Sequence, residues 1–589
     1  MIIEFCFVCA LVILLITVIK TVNVYNRQKS TAVKPIYVAT GGVFAASIMT
    51  FIPVYADLFE TDSLSAVKTI LLSIHNAIRL FIVDGEFDII RDHVTSNSGI
   101  GVWYSLLAAI LFVAAPILTF GLILSLLRNM YAHIVLWCAK GRNTYVFSEL
   151  NDRALALAES IKKEQSNCKI VFTDVYENDT EEHSELAARA RGLKAISFRS
   201  DIETINFSVR DNRSLSLYLI GKDETENIRQ SVNLINKFRE RDNTHIYIFS
   251  STIESELLIS DIDKGKIKAR RINENHALIN GYLYEEGEIL FDHAAANGDA
   301  DKEIRAAVVG LDSYGEEMFR TLTWFCQMDG YKFYMSAYDP DPDKESELKA
   351  KCPELLDEVH NGKFIPGGEA FYDIKIHSGA NVRTEEFAQN ILAFKPTFVF
   401  VSQGSDRDNI ATAVMIRTIC ERAGLDPDIT TICKESIINE SLKNIHNFKG
   451  QPYRIRFIGS VGDMYSSGSI INKELEEEAL RRHCKWGGEE DFWQYEYNYK
   501  SSIAVTMHSK VKEHCKIAGA LKTQEEMTDK ERYELESLEH RRWNAYMRSE
   551  GYVYNPVRND LAHMHHDLVP YDKLKEEEKR KDSKVAASV

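Results

Sequence analysis

The chain lacks several features that would have placed it at once. It has no excess of positive charge: the formal net charge is -16, with 70 Lys and Arg against 86 Asp and Glu. Such a surface has no broad field to neutralise phosphates, which excludes a general nucleic-acid binder. It also lacks a paired cysteine framework. The single C-x-x-C, Cys6 and Cys9, lies inside an apolar run with no second ligand pair. It reads as small apolar residues facing lipid, and the remaining cysteines as reduced thiols of a cytosolic region. No G-x-S-x-G, H-E-x-x-H, Walker lysine or kinase signature occurs, so nothing calls for an enzyme. No T-V-G-Y-G potassium filter occurs in residues 55–101, and the acidic loop 83–88 does not replace it. Potassium selectivity is unsupported.

What is present begins with membrane. Residues 2–19 form an almost unbroken apolar run whose positive charges, Lys20, Arg27, Lys29 and Lys34, follow it. A cleaved signal peptide has the reverse order, so the run reads as a retained anchor. Residues 36–55 form a second span, with Gly41, Gly42, Ala45 and Ala46 as a close-packing face. Residues 102–127 form a third, followed by Arg128, Lys140 and Arg142. The positive-inside rule then puts residues 20–35 and everything after Arg128 in the cytoplasm, with the N-terminus outside. Residues 65–83 are apolar but carry Lys68, His75, Asn76 and Arg79 at helical spacing on one face. This segment reads as interfacial, re-entrant or packed on the spans, or as a pore helix with Lys68, His75 and Arg79 toward water.

From Asn143 strands and helices alternate, which predicts a doubly wound parallel sheet. Asp174 ends its second strand. The first turn, 148–153, has no glycine, and Glu149 and Leu150 would repel and crowd a pyrophosphate, so this lobe reads as structural. The pattern recurs from Glu303. There Gly310, Asp312 and Gly315 fill the positions of a G-x-G-x-x-G turn, with Asp in the second place. Asp339 ends the next strand where a ribose hydroxyl would be held, and Ser402 and Gly404 follow a later strand. Short strands are also expected at Phe364 and at 429–433. Two copies of one sheet in series are the main organisational expectation.

Two resemblances follow. With its strand-end Asp174, Arg199-Ser200-Asp201 and Gly221-Lys222-Asp223-Glu224-Thr225-Glu226-Asn227, the stretch 143–290 resembles the TrkA-N, or RCK, domain of bacterial ion-transport regulators. Residues 303–440 resemble a more diverged copy. Leu538-Glu539-His540-Arg541-Arg542-Trp543-Asn544-Ala545-Tyr546, then Glu550-Gly551-Tyr552 and Leu568-Val569-Pro570-Tyr571-Asp572-Lys573-Leu574, is similar to the RyR domain of ryanodine receptors and bacterial proteins. The resemblances imply a membrane region at 1–140, RCK-like lobes at 141–295 and 301–470, a small mainly α RyR module at 490–582, and a tail at 583–589. They also imply a homo-oligomer, expected as a tetramer, in a bacterial inner membrane with a cytoplasmic C-terminal region. In residue terms, Arg541 and Arg542 beside Trp543 and Tyr546 suit stacking a base and pairing a phosphate. The plainer alternative makes Trp543, Tyr546 and Tyr552 core and the arginines a solvated rim. His563, His565 and His566 near Asp567 suggest a metal only weakly, since no further ligand pair accompanies them.

The expected function is a ligand-gated membrane channel or pore-type effector. Its RCK-like ring and RyR module (His540, Arg541, Trp543, Tyr546 and Tyr552) would sense a nucleotide-derived signal. Anti-phage defence is the biological setting these resemblances imply. The alternative is a housekeeping channel or transport subunit regulated by NAD, ATP or a cyclic dinucleotide. The lipid bilayer and a small nucleotide-like ligand are the expected partners; the cofactor is unspecified.

Overall fold

Apolar content and length set the N-terminal architecture. Among the described residues, three helices are long and apolar enough to cross a membrane, over Ile2–Asn23, Pro35–Leu58 and Gly101–Ile123. The computed structural model describes residues 2–27, 33–61, 63–85, 87–90, 100–138, 143–175, 181–207, 213–297, 300–362, 372–435, 446–447, 449–470, 473–523 and 525–579. The strand expected at Phe364, the basic residues Lys29, Lys140 and Arg142, and the tail 583–589 lie outside the described residues.

The first two membrane helices meet at a glycine. A Cβ on Gly42 would lie 1.9 Å from Thr17 Oγ1, whereas one on Gly41 meets nothing within 4 Å. Of the four small residues expected to form the close-packing face, Gly42 therefore marks the crossing, with Ala46 fully buried beside it. The helix Ser65–Phe81 returns along the second span. Thr69 Oγ1 donates to Tyr55 O (3.2 Å), and Asn76 Nδ2 donates to the Tyr55 hydroxyl. Phe81 meets Phe44 edge-on at 6.0 Å. Its buried side is Thr69, Ser73, Asn76, Ala77 and Leu80. Asn76 thus parts from Lys68, His75 and Arg79, which share one edge of that side.

The helix Gly101–Cys138 is the longest in the chain. Pro116 lies inside it and offers no amide to the carbonyl of Phe112, one turn earlier. Phe112 packs on Phe51 at 6.4 Å and on Phe87 at 5.3 Å. Beyond the apolar span the same helix reaches the first sheet. Its Leu136 carbonyl accepts from Lys169 Nζ (3.2 Å), and the His133 ring lies 4.9 Å from Phe198.

That sheet has six strands: β1 Thr144–Phe147, β2 Lys169–Phe172, β3 Ile196–Ser197, β4 Leu215–Leu219, β5 Thr244–Phe249 and β6 Lys268–Ile272. Their order is β3-β2-β1-β4-β5-β6. The second sheet opens with β7 Ala295–Asn297, antiparallel to β8 Ala300–Val309. It continues with β9 Tyr331–Asp339, β10 Tyr372–Ser378, β11 Phe398–Val401, β12 Asp428–Ile432 and β13 Ile455–Ile458, in the order β10-β9-β8-β11-β12-β13. Both are doubly wound sheets of one order, which reverses beside β1 in the first and beside β8 in the second. The short central strands β1 and β11 are buried along their whole length, as parallel strands covered on both faces must be.

The strand β6, Lys-Ala-Arg-Arg-Ile, escapes a pattern search because its charges are paired. Arg270 meets Glu476 at 2.6 Å and Arg271 meets Glu496 at 2.7 Å. By internal contact the chain forms two compact units, 1–150 with 167–215, and 151–166 with 216–589. The C-terminal part is mainly helical, with Glu496–His514 and Asp529–Ser549 and a two-stranded ladder of Val553–Tyr554 and Met564–His565. Thr528 and Glu531 close a reciprocal capping box at the start of the second long helix.

Candidate functional site

The second sheet brings the residues of the glycine turn together. Gly310 has φ +87°, and a Cβ there would lie 2.0 Å from the Ser402 carbonyl, so only glycine fits. Asp312 caps the helix Ser313–Phe325: its Oδ1 accepts from the amides of Tyr314 (3.1 Å) and Gly315 (3.0 Å). Ser402 Oγ donates to the same oxygen at 2.5 Å. Asp339 binds the backbone, accepting from Leu311 N (2.7 Å) and Asp341 N (2.9 Å). The anion position of the turn is therefore filled by the chain's own carboxylate, which a pyrophosphate would have to displace. Gly404, at φ +84°, turns the chain into the helix Asp406–Arg422. Burial, then the carboxylates of Glu274 and Asp312, pushes the Tyr314 phenol up to about 12.

The first lobe repeats the device without glycine. Asn151 caps Asp152–Glu164 through Ala154 N (2.9 Å) and donates to Ile220 O (3.0 Å). Two acids at helix starts are also equivalent. Glu224 accepts from Ser251 N (2.8 Å), and Asp406 accepts from Lys434 N and Glu435 N (both 2.9 Å). Asp174 stands apart at the end of β2, with φ +56° and its amide on Ser200 O (3.0 Å).

A second site lies in the C-terminal helical part. A cavity of about 260 Å³ is lined by the rings of Trp486, Tyr497 and Trp543 and by Arg482, Arg542 and Arg558, with Glu539, Asp567 and Glu578 among its acids. His540 also lines it and stacks on Trp543 with ring centres 5.6 Å apart. Of the five residues expected to bind ligand here, the structure brings His540 and Trp543 to the cavity. Arg541 instead pairs with Asp329 (2.7 Å). Tyr546 is 3% exposed and meets Trp324 edge-on at 5.9 Å. Tyr552 stacks on His563 at 4.6 Å.

Beneath the cavity lies a buried charge cluster. Glu539 bonds Arg542 Nε (2.9 Å) and pairs with Lys512 (3.4 Å). Burial alone would raise the Glu539 carboxyl, but the charges of Arg542 and Lys512 outweigh it and hold it down to about 2. His508 lies against this group and donates from Nε2 to Gln327 O (2.7 Å). Burial, then the Lys512 charge, pushes the His508 ring down to about 3, so it is neutral at pH 7. Gln327 closely follows the helix Ser313–Phe325, which starts at the glycine turn. One helix therefore joins the turn of the second sheet to the wall of this cavity.

The sequence drew attention to Arg542 but could not bring Arg482, Trp486, Tyr497 and Arg558 to it, since they come from other elements. Of these only Tyr497 carries a signal in the sequence, as part of the aromatic run Trp493, Tyr495, Tyr497 and Tyr499. In the membrane part, His75 is exposed, Lys68 Nζ lies 5.9 Å from the Phe59 ring centre, and Arg79 pairs with Asp84 (3.1 Å). His565, His566 and Asp567 place their ligand atoms within 4.8 Å of one another. His565 Nδ1 already accepts from Asp567 N at 3.2 Å.

No family model matches this chain, and no curated protein matches it. Among solved structures it is similar to a crystal structure of GsuK, solved as a point mutant, with 12% identity and a TM-score of 0.31. The alignment covers 73% of this chain and 98% of that one.

Proposed function

We propose that the chain is a ligand-regulated ion channel or transport subunit. In this proposal three membrane spans are controlled by RCK-like sheet lobes and an RyR-type sensing module, in a homo-oligomer of the bacterial inner membrane. The observation that carries it is the helix Gly101–Cys138, whose apolar half is long and apolar enough to cross a membrane and whose far end bonds β2 through Leu136 and Lys169. A helix fixed at both places transmits a displacement of the sheet to the bilayer. The signal must favour one arrangement of the lobes over the other by differential affinity. The shared helix Ser313–Phe325 supports the same reading, since it joins the ligand cavity to the second sheet. No catalytic step is assigned.

Reconstitution in liposomes loaded with an ion-sensitive dye tests it, with ATP, NAD and cyclic dinucleotides added in turn. The expected result is a ligand-dependent flux that Lys169→Ala weakens. A selective, regulated current marks transport. A poorly selective leak coupled to growth arrest marks the defence effector. A protein that passes no ion under any of these compounds overturns the proposal.

A further inference from the structure

The cavity in the C-terminal helical part combines three features that together define a ligand. Its walls carry two tryptophans and a tyrosine, Trp486, Trp543 and Tyr497, which suit a flat ring. Its size, about 260 Å³, lies just below the ordinary range for small-molecule sites of about 300–1,000 Å³, so it suits one ring with a short appendage and not a dinucleotide. The third feature is charge. Lys512 and Arg542, both 0% exposed, each meet Glu539, and neighbouring Arg482 pairs with Glu478 at 2.9 Å. His508 adds no charge at neutral pH. Among the described residues, Nη1 and Nη2 of Arg542 meet no hydrogen-bond acceptor, and the guanidinium lies over the rings of Trp324 and Tyr546. Two N–H-bearing nitrogens of a buried guanidinium are thus left open at the cavity, where a low dielectric strengthens a bond made to an anion.

We infer that this cavity binds a mononucleotide-class compound, its base against Trp543 and Trp486 and its phosphate held by Nη1 and Nη2 of Arg542. The inference rests on the reading of this module as the sensor of a regulated membrane protein, and it adds the chemical class and the residue that selects it. Arg558, at the mouth, would meet the outer phosphate oxygens. Asp567 and Glu578 are placed to accept from sugar hydroxyls or an exocyclic amine. Buried donors without an acceptor cost stability in the empty protein, which is the expected mark of a group kept for a ligand.

The experiment uses the full chain in detergent, with calorimetric titration of AMP, ADP, adenosine, inorganic phosphate and pyrophosphate, and thermal unfolding of the same samples. ADP or AMP should bind saturably. Adenosine and pyrophosphate should each bind at least about tenfold more weakly, since each lacks one half of the recognised structure. Arg542→Met should lower nucleotide affinity by about 10- to 100-fold, the loss of one charge-assisted contact. The empty variant should unfold at the same or a higher temperature. Arg558→Gln, at the exposed mouth, should cost affinity without touching the melting temperature.

An Arg542→Met variant that melts lower yet binds nucleotide normally makes Arg542 a structural partner of Glu539 and overturns the inference. Equal binding of adenosine and ADP does the same, as does binding of no phosphate compound at all. Failure here is separable from failure of the channel reading. A protein that binds ADP through Arg542 but passes no ion keeps this inference and loses the other. One that conducts on a trigger without binding any phosphate compound does the reverse.

Discussion

Asn227 and Asn409 occupy the same place in two separate sheets and make the same bonds. Asn227 Oδ1 accepts from Gly221 N (2.9 Å) and its Nδ2 donates to Phe249 O (3.0 Å). Asn409 Oδ1 accepts from Gln403 N (2.5 Å) and its Nδ2 donates to Ile432 O (3.1 Å). Each is 1% exposed; Asn227 ties the end of β4 to the end of β5, and Asn409 the end of β11 to the end of β12. A backbone leaving two buried strands needs such a partner for its polar groups.

Replacing Asn409 by alanine strands one amide and one carbonyl. The expected cost is about 2–6 kcal/mol, from about 1–3 kcal/mol for each of the two unsatisfied buried groups. Thermal unfolding of the full chain in detergent measures it, and Asn227→Ala should behave alike. A change too small to resolve in both variants would show that water replaces the side chains.

Gly310→Ala combines a left-handed backbone with a Cβ 2.0 Å from the Ser402 carbonyl. Backbone cannot yield as a side-chain tip does, so the expected loss exceeds about 3 kcal/mol. Yield of folded protein and the melting temperature are the readouts. Wild-type behaviour would mean that β8 and β11 can part at the turn.

His508 makes stability depend on pH. Its folded-state pKa, about 3, lies below the unfolded value near 6.5, so the unfolded chain binds the extra proton between those limits. Stability is therefore full above about pH 6.5 and falls as pH drops toward 3. Between pH 7 and pH 5 the loss from this group is about 2 kcal/mol. His508→Gln, which keeps a donor for Gln327 O, should flatten the melting temperature over that interval. An unchanged slope would assign the pH dependence to other groups.

Gly42→Leu should force the first two membrane helices apart, since Thr17 fills the space a side chain needs. Gly41→Leu is the control, with nothing within 4 Å. The expected outcome is a lowered melting temperature in detergent for the first variant alone, by about 1–3 kcal/mol equivalent. Equal effects would show that the two helices do not pack at this glycine.

The sheets were legible because their strands are apolar and buried on both faces, as Phe398–Val401 shows. The three long N-terminal helices were legible for a different reason, as long runs of apolar residues with few charges. The strand β6 was not, since Arg270 and Arg271 look exposed until Glu476 and Glu496, distant in sequence, are brought to them. The glycine turn was found, but its emptiness of ligand space was not, because Asp312 and Ser402 meet only in three dimensions. In the C-terminal part His540 and Trp543 were identified at the cavity. Arg541 and Tyr546 carry the same chemistry at adjacent positions yet pair with Asp329 and Trp324. A string of residue types on one helix cannot say which faces the cavity until the neighbouring helices are known.

Pro116 gives the longest helix one missing rung, at the carbonyl of Phe112, inside its apolar half. Everything between that rung and Leu136 behaves as a lever whose handle is bonded to β2, and the compliant joint lies where Phe51 and Phe87 clasp Phe112. Torque arriving from the sheet would therefore be spent as a bend among aromatic rings in the bilayer interior, and hardly at all as sliding of the whole rod.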